Sequence, residues 1–399
     1  MANISKYPLL SYHPLRFLYR LAAAASIVAR LPFWLVISLV PPLRPNRKWS
    51  PIQTLMARLL RASLHTDSVI GIGEADTQSL TPPKGEGDRF VVLQPFDAQL
   101  YTGPLASDPS VSPAPVSCTW RPGPPPPRSA HEAATSSSSS LKKVVLHIHG
   151  GAFVRDHPAT SATGFLSSTL LAHAGVDAVL SLSYRLSGHG GRNPFPAALQ
   201  DALTAYLYLV REVGLAPSAV TVSGDSAGGN MVVALLRYLD EFGPRVGVEP
   251  PARAVLIAPW VAPPACFPRR AAGELRVEQM ANYNSDILPA SFLQWGIKTY
   301  APGGDVEAAR ENPYIQALGH PFRAGVPVLV SVGEAEIFST DVAVWAREMS
   351  GYEGGGVNKV EVYVEENAPH DTLLIGDALK WGDSAKRVAA RIGEFIDKN

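Results

Sequence analysis

Cysteine is scarce in this sequence, with Cys118 and Cys266 the two present. So distant a pair builds no disulfide framework and has no metal-site spacing. Both read as free thiols of a reducing compartment, a single bridge between them being the alternative. Net charge is missing too: Lys+Arg and Asp+Glu balance at 35 each. A neutral chain has no field to gather polyanions, which argues against nucleic acid as a partner. No small-residue cleavage site cleanly follows the apolar amino-terminal stretch, so a secretory signal peptide is a poor reading. What the chain does have is 46% hydrophobic residues over 399 positions. That suffices for one large domain with an insertion or lid, or for two domains.

The stretch Leu21 to Val40, "LAAAASIVARLPFWLVISLV", has the length of a membrane segment, about 20 residues. Arg30 and Pro32 interrupt its middle, where an arginine in hydrocarbon is unfavourable. Arg16, Arg20, Arg44, Arg47 and Lys48 flank it. A helix pair lying at a membrane surface fits this pattern. So do soluble helices whose apolar faces cap an active site, and apolar length does not separate the two. A second helix starts at Ser50-Pro51 with "SPIQTLMARLLRASL". Residues 1–88 are therefore read as a helical, cap-like region. Residues 121–140, Pro-rich and then a Ser run, are expected to form a disordered surface insertion.

From residue 89 onward short apolar runs alternate with amphipathic stretches. "KKVVLHIHGG", "AVLSLSYRL", "AVTVSGD", "RAVLIAPW", "VPVLVSVGE" and "KVEVYVEE" read as strands. "PAALQDALTAYLYLVREVG" and "DSAKRVAARIGEFIDKN" read as helices between and after them. Such interleaving predicts an α/β domain over 89–399, a mostly parallel sheet with helices on both faces. Ligands in these sheets gather beyond the carboxyl ends of the strands.

One strand end carries "VTVSGDSAGGNMVVALL", Val220 to Leu236. Gly224-Asp225-Ser226-Ala227-Gly228 fits G-x-S-x-G between a β-branched strand and a helix. In that setting the serine sits on a sharp turn, and small residues two before and two after it relieve crowding. The helix start also favours negative charge near Ser226. The resemblance of GDSAGG to the GDSGG of chymotrypsin-type proteases fails on context, since that motif lies in an all-β protein with His and Asp upstream. Asp225 cannot reach round to orient a base and is read as a turn support.

A serine nucleophile needs amide donors for an oxyanion, a base, and an acid behind the base. "HIHGGAF" offers the first: His149 braces a loop in which Gly150, Gly151 and Ala152 are oxyanion candidates, joined by Ala227 after the serine. His147 and His149 share a strand face, but no third ligand stands nearby, so no metal is expected. His370 in "ENAPHDTLL" follows the last predicted strand and comes after Ser226, as a general base should in the Ser…acid…His order. For the acid, "GEAEIFSTD" offers Glu336 first, on reach past the strand end, then Asp341, then Glu334.

HGGAF, GDSAGG, GEAEIF and APHD in this order resemble the hormone-sensitive-lipase-like group of α/β-hydrolases. The likeness is closest to fungal members of the fold-3 kind, including steryl-acetyl-hydrolase-like proteins. It implies an α/β-hydrolase fold and a serine carboxylesterase needing no cofactor. It implies a small hydrophobic ester as substrate, and a cap made of the amino-terminal helices and a second segment, 263–312. Asp201 and Arg185 would be scaffold residues. Two departures stand out: Ala152 where the family has glycine, and Glu336 where many members carry Asp. The same triad would serve acyl transfer or lactone and amide hydrolysis, and the fold also hosts silent ligand receptors. The expected location is intracellular, in the cytoplasm or at an internal, ER-type membrane.

Overall fold

A computed structural model of the chain describes residues 6–72, 80–126, 141–269 and 273–399. Most of the Pro/Ser-rich stretch, 127–140, lies outside the described residues. The centre is an eight-stranded sheet: β1 (Phe90–Leu93), β2 (Val116–Arg121), β3 (Val144–Ile148), β4 (Ala178–Ser183), β5 (Val220–Asp225), β6 (Arg253–Ile257), β7 (Val328–Gly333) and β8 (Val360–Glu365). The spatial order is β1-β2-β4-β3-β5-β6-β7-β8. Only the pairings of β1 with β2 and β2 with β4 are antiparallel. The remaining five are parallel. The expected mostly parallel sheet is therefore found, and β3, β5, β6 and β7 are buried along their whole length. Strands covered on both faces read as unbroken Val/Ile/Leu runs, which is why these were legible.

Among the described residues nine principal helices accompany the sheet. They are α1 (Leu15–Leu39), α2 (Pro51–Ile70), α3 (Gly164–His173), α4 (Ala197–Leu207), α5 (Ala227–Glu241), α6 (Ala290–Tyr300), α7 (Ser339–Ser350), α8 (Thr372–Leu379) and α9 (Gly382–Lys398). The wholly buried side of α5 runs behind β3, β5 and β6. One apolar cluster joins the sheet to α4, α5, α6 and α7, and a second joins it to α3 and α9.

The Ser50-Pro51 signal marks the true start of α2. Ser50 Oγ accepts the Gln53 N–H, and the Gln53 side chain accepts the Ser50 N–H. That reciprocal cap fixes the entry angle of the helix. Trp49, one residue earlier, donates its indole N–H to the Asn367 carbonyl at 2.6 Å and packs edge-on against Trp381. The helix then lies on α6 and α8, while α1 packs against α2. Both cysteines are free and buried.

Candidate active site

Ser226 closes β5 and opens α5 with φ 51° and ψ −115°, outside the regions an L-residue adopts at rest. The surroundings hold it there. Its N–H donates to the Ile257 carbonyl at 2.8 Å, and its carbonyl accepts the Trp260 N–H at 2.9 Å. Two glycines make the turn possible. A Cβ on Gly224 would stand 2.4 Å from the Gly228 carbonyl oxygen, and one on Gly228 would stand 1.9 Å from that of Ile148.

The loop after β3 crosses in front of this turn. Its backbone runs through positive φ at Gly151 (89°), Ala152 (51°) and Phe153 (65°). The glycine-to-alanine departure thus falls on a position that glycine would adopt with less strain. The Gly151 and Ala152 N–H groups have no partner among the described residues. The N–H of Gly150, the other oxyanion candidate of this loop, is spent on Asp225 Oδ2 at 2.9 Å. Gly150 is corrected here from oxyanion candidate to brace, because an amide already bonded to a carboxylate has nothing left to donate. Tyr184 holds the same corner, its hydroxyl donating to the carbonyls of His149 and Gly150 at 3.0 and 2.9 Å. His149 stacks on Tyr184, and its Nδ1 lies 3.0 Å from the Gly150 carbonyl. Burial pushes both His147 and His149 down to about 3, so both rings are neutral.

His370 follows β8 and lines the same cavity as Ser226, Gly151, Asp225 and Asp371. Its Nδ1 lies 3.5 Å from Glu336 Oε2, both groups buried. That is longer than a hydrogen bond, yet Nδ1 and Glu336 Oε1 have no other partner among the described residues. Catalytic contacts in unliganded sites are often long and tighten with substrate. Burial holds the Glu336 carboxyl well above the ordinary range, against the Gly333 N–H it accepts at 3.2 Å. The Phe338 ring meets the imidazole edge-on at 5.2 Å. Neither of the two other acid candidates is paired with His370 among the described residues. Glu334 accepts the Asn367 N–H at 2.8 Å, and Asp341 stands in the first turn of α7 without an ion pair to His370 among the described residues.

Two further carboxyls at the site were given no role from the sequence. Asp286, in the segment before α6, accepts the N–H of His370 at 3.3 Å and that of Ile337 at 2.8 Å. It ties together the two loops that carry His370 and Glu336. Asp371, beside His370, caps α8 by accepting the Leu374 N–H at 3.1 Å, and its side chain is hydrogen-bonded to Asp225. Two buried carboxyls in contact share one proton. Burial, with the partner's charge behind it, raises Asp371 well above its usual value, and burial pushes Asp225 up to about 7.

The cavity is about 540 Å³. Its apolar wall comes from Leu60 and Leu64 of α2, Ile287 and Leu288 of the connecting segment, and Phe292 of α6. Behind the sheet edge, Asp201 receives Arg185 at 2.8 Å, while Arg185 also reaches the Ser112 and Ala197 carbonyls. That is the loop-holding arrangement expected of the pair.

Residues 145–374 match the family model described as alpha/beta hydrolase fold. The chain is 34% identical over 200 residues to the acetyl-hydrolase of Streptomyces hygroscopicus, a match spanning 50% of this chain and 59% of that protein. It is 29% identical over 269 residues to the esterase LipU of Mycobacterium tuberculosis, spanning 64% and 77%. The first of these matches thus covers less than two thirds of the curated relative's length. Among solved structures, an esterase from the bacterial hormone-sensitive lipase family superposes with a TM-score of 0.55 at 22% identity, over 88% of this chain and 98% of that one. Likeness at that identity speaks for the fold alone.

Proposed function

Because the chain belongs to the alpha/beta hydrolase fold family, in its hormone-sensitive-lipase-like group, we propose that it is a serine carboxylesterase with Ser226 as nucleophile, His370 as base and Glu336 as acid. The observation that carries this reading is the strained Ser226 sharing one cavity with His370 and Gly151, whose N–H, like that of the adjacent Ala152, is unspent among the described residues. His370 Nε2 takes the Ser226 proton as Oγ attacks the ester carbonyl. The charge that moves to the carbonyl oxygen meets the N–H groups of Gly151, Ala152 and Ala227, the last at the amino-terminus of α5. The tetrahedral intermediate collapses, His370 gives its proton to the departing alcohol, and an acyl-serine remains. Water, deprotonated by the same imidazole, releases the acid and restores Ser226.

The buried Glu336 suits its part. A carboxylate is disfavoured there until the imidazole beside it gains a proton, so their attraction is strongest when the transition state needs it. Asp286 and the Asp225–Asp371 pair hold the His370 and Gly150 loops in register and touch no reacting atom. The domain assignment follows: 89–399 carries the chemistry, while α2 and part of the 263–312 segment act as the cap whose apolar side chains line the acyl or alcohol pocket. The names of the relatives, acetyl-hydrolase and esterase, together with that lining, favour a short acyl ester of a hydrophobic alcohol.

The test is turnover of nitrophenyl esters from acetate to hexanoate, with fluorophosphonate labelling of the same samples. Wild type is expected to hydrolyse the short esters and take the label. Ser226→Ala should lose the label and at least ~1,000-fold in kcat. A wild-type chain that neither turns over nor labels would sink the reading and leave a ligand receptor on this fold.

A further inference from the structure

Between α1 and α2 lies a second cavity, about 590 Å³, with its own chemistry. Arg30 of α1 and Arg58, Arg61 and His65 of α2 line it, with Trp34 at one side, and no Asp or Glu among its lining residues. The cations are held in place without a counter-charge. Arg61 donates to the carbonyls of Tyr283 and Asp286 and lies 3.9 Å over the Tyr283 ring. Arg30 donates to the Ser26 carbonyl at 3.0 Å and lies 4.9 Å over Trp34. Arg58 has a buried Nε with no hydrogen-bond partner among the described residues. Burial first, and neighbouring arginines second, weaken the proton affinity of Arg58 and of His65. Arg58 and Arg61 are half-buried and Arg30 is exposed, and a folded chain does not ordinarily leave a buried guanidinium donor orphaned beside other arginines. Such a cluster suits an anion, and planar guanidinium forks match phosphate oxygens.

The location of the cavity indicates where that phosphate comes from. Leu21, Val28 and Leu35 recur every seventh residue of α1 and are exposed, as are Val36 and Leu39. At 100° per residue, Leu21, Val28, Leu35 and Leu39 point away from the side that carries Arg30 and buries Trp34 on α2. A helix packed lengthwise on α2 cannot also stand across a bilayer, but its outer face can lie in one. The arginine cavity on the inner side would then sit at headgroup depth. We infer that the α1–α2 cavity binds the phosphate of a membrane phospholipid while the outer face of α1 rests among its acyl chains. This site is independent of the ester chemistry and stands or falls without it.

The test is flotation of the full chain with phosphatidylcholine vesicles, with and without phosphatidic acid, beside calorimetry with inorganic phosphate. Wild type should float with the phosphatidic acid vesicles. Arg58→Gln and Arg30→Gln should each weaken that binding by about tenfold, and Arg58→Lys should recover part of it. Thermal melts guard against misfolding. If Arg58→Gln does not fold, Arg30→Gln on the exposed helix carries the same comparison. Variants that float like wild type would overturn the proposal. So would inorganic phosphate binding as tightly as the vesicle, which would make the ligand a free anion and not a lipid.

Discussion

Glu336 and His370 meet at 3.5 Å while Asp341 stands a helical turn away, and this contrast separates the two acids by experiment. Glu336→Gln is expected to lower kcat for nitrophenyl butyrate by ~1,000-fold or more with little change in KM. Asp341→Asn should stay within about threefold of wild type. Ser226 and His370 were legible because each is flanked by a local pattern, strand then small residues, or strand then loop. Asp286 and Asp371 were not, because what makes them matter is contact between loops far apart in the chain. Asp371 has a measurable signature. Its pair with Asp225 holds a proton that the unfolded chain would release near pH 4. Burial raises both carboxyls in the folded chain, so the stability this adds is full below that pH and declines as pH rises towards the point where the folded pair ionises. Asp371→Asn keeps the cap on α8 but removes the like-charge partner. Between pH 5 and pH 9 its melting temperature should fall less than that of wild type. Parallel slopes would show that the pair carries no such proton.

The elbow between β5 and α5 has no spare volume. With 1.9 Å between an added Cβ and the Ile148 carbonyl, Gly228→Ala would push α5 off β3. Denaturant unfolding should report a loss of ~3 kcal/mol or more. Ala152→Gly goes the other way: at φ 51° the loss of Cβ relieves strain, and turnover should survive. The motif glycines were readable from sequence, since strand–turn–helix crowding demands them whatever the fold around them. The fate of Gly150 was not. Nothing in "HGGAF" says that Asp225, 75 residues later, takes its N–H.

Across the whole molecule, the parallel sheet was legible from runs of buried strands, whereas the placement of the amino-terminal helices was not. Apolar length reads the same in a cap and at a membrane; in the structure α2 lines the cavity of Ser226, while the apolar side chains of α1 are largely exposed. Trp49 fastens the start of α2 to the Asn367 turn, so the helix should hold its place without α1. A chain beginning at residue 49 is expected to turn over nitrophenyl acetate at close to the full-length rate and to stay out of the pellet on detergent-free fractionation. Loss of activity on truncation would mean that α1 shapes the ester pocket after all.

Leu60 and Leu64 project from one side of α2 into the ester cavity, while Arg58, Arg61 and His65 project from the other into the arginine cavity. A rigid rod with a binding site on each flank cannot shift for one occupant without shifting for the other. If a phosphate in the arginine cavity favours one position of α2, the two equilibria become linked, and linkage is symmetric: whatever factor a bound phosphate then imposes on ester affinity, a bound ester imposes on phosphate affinity. One shared helix would let the surface on which the protein rests set how readily its pocket fills.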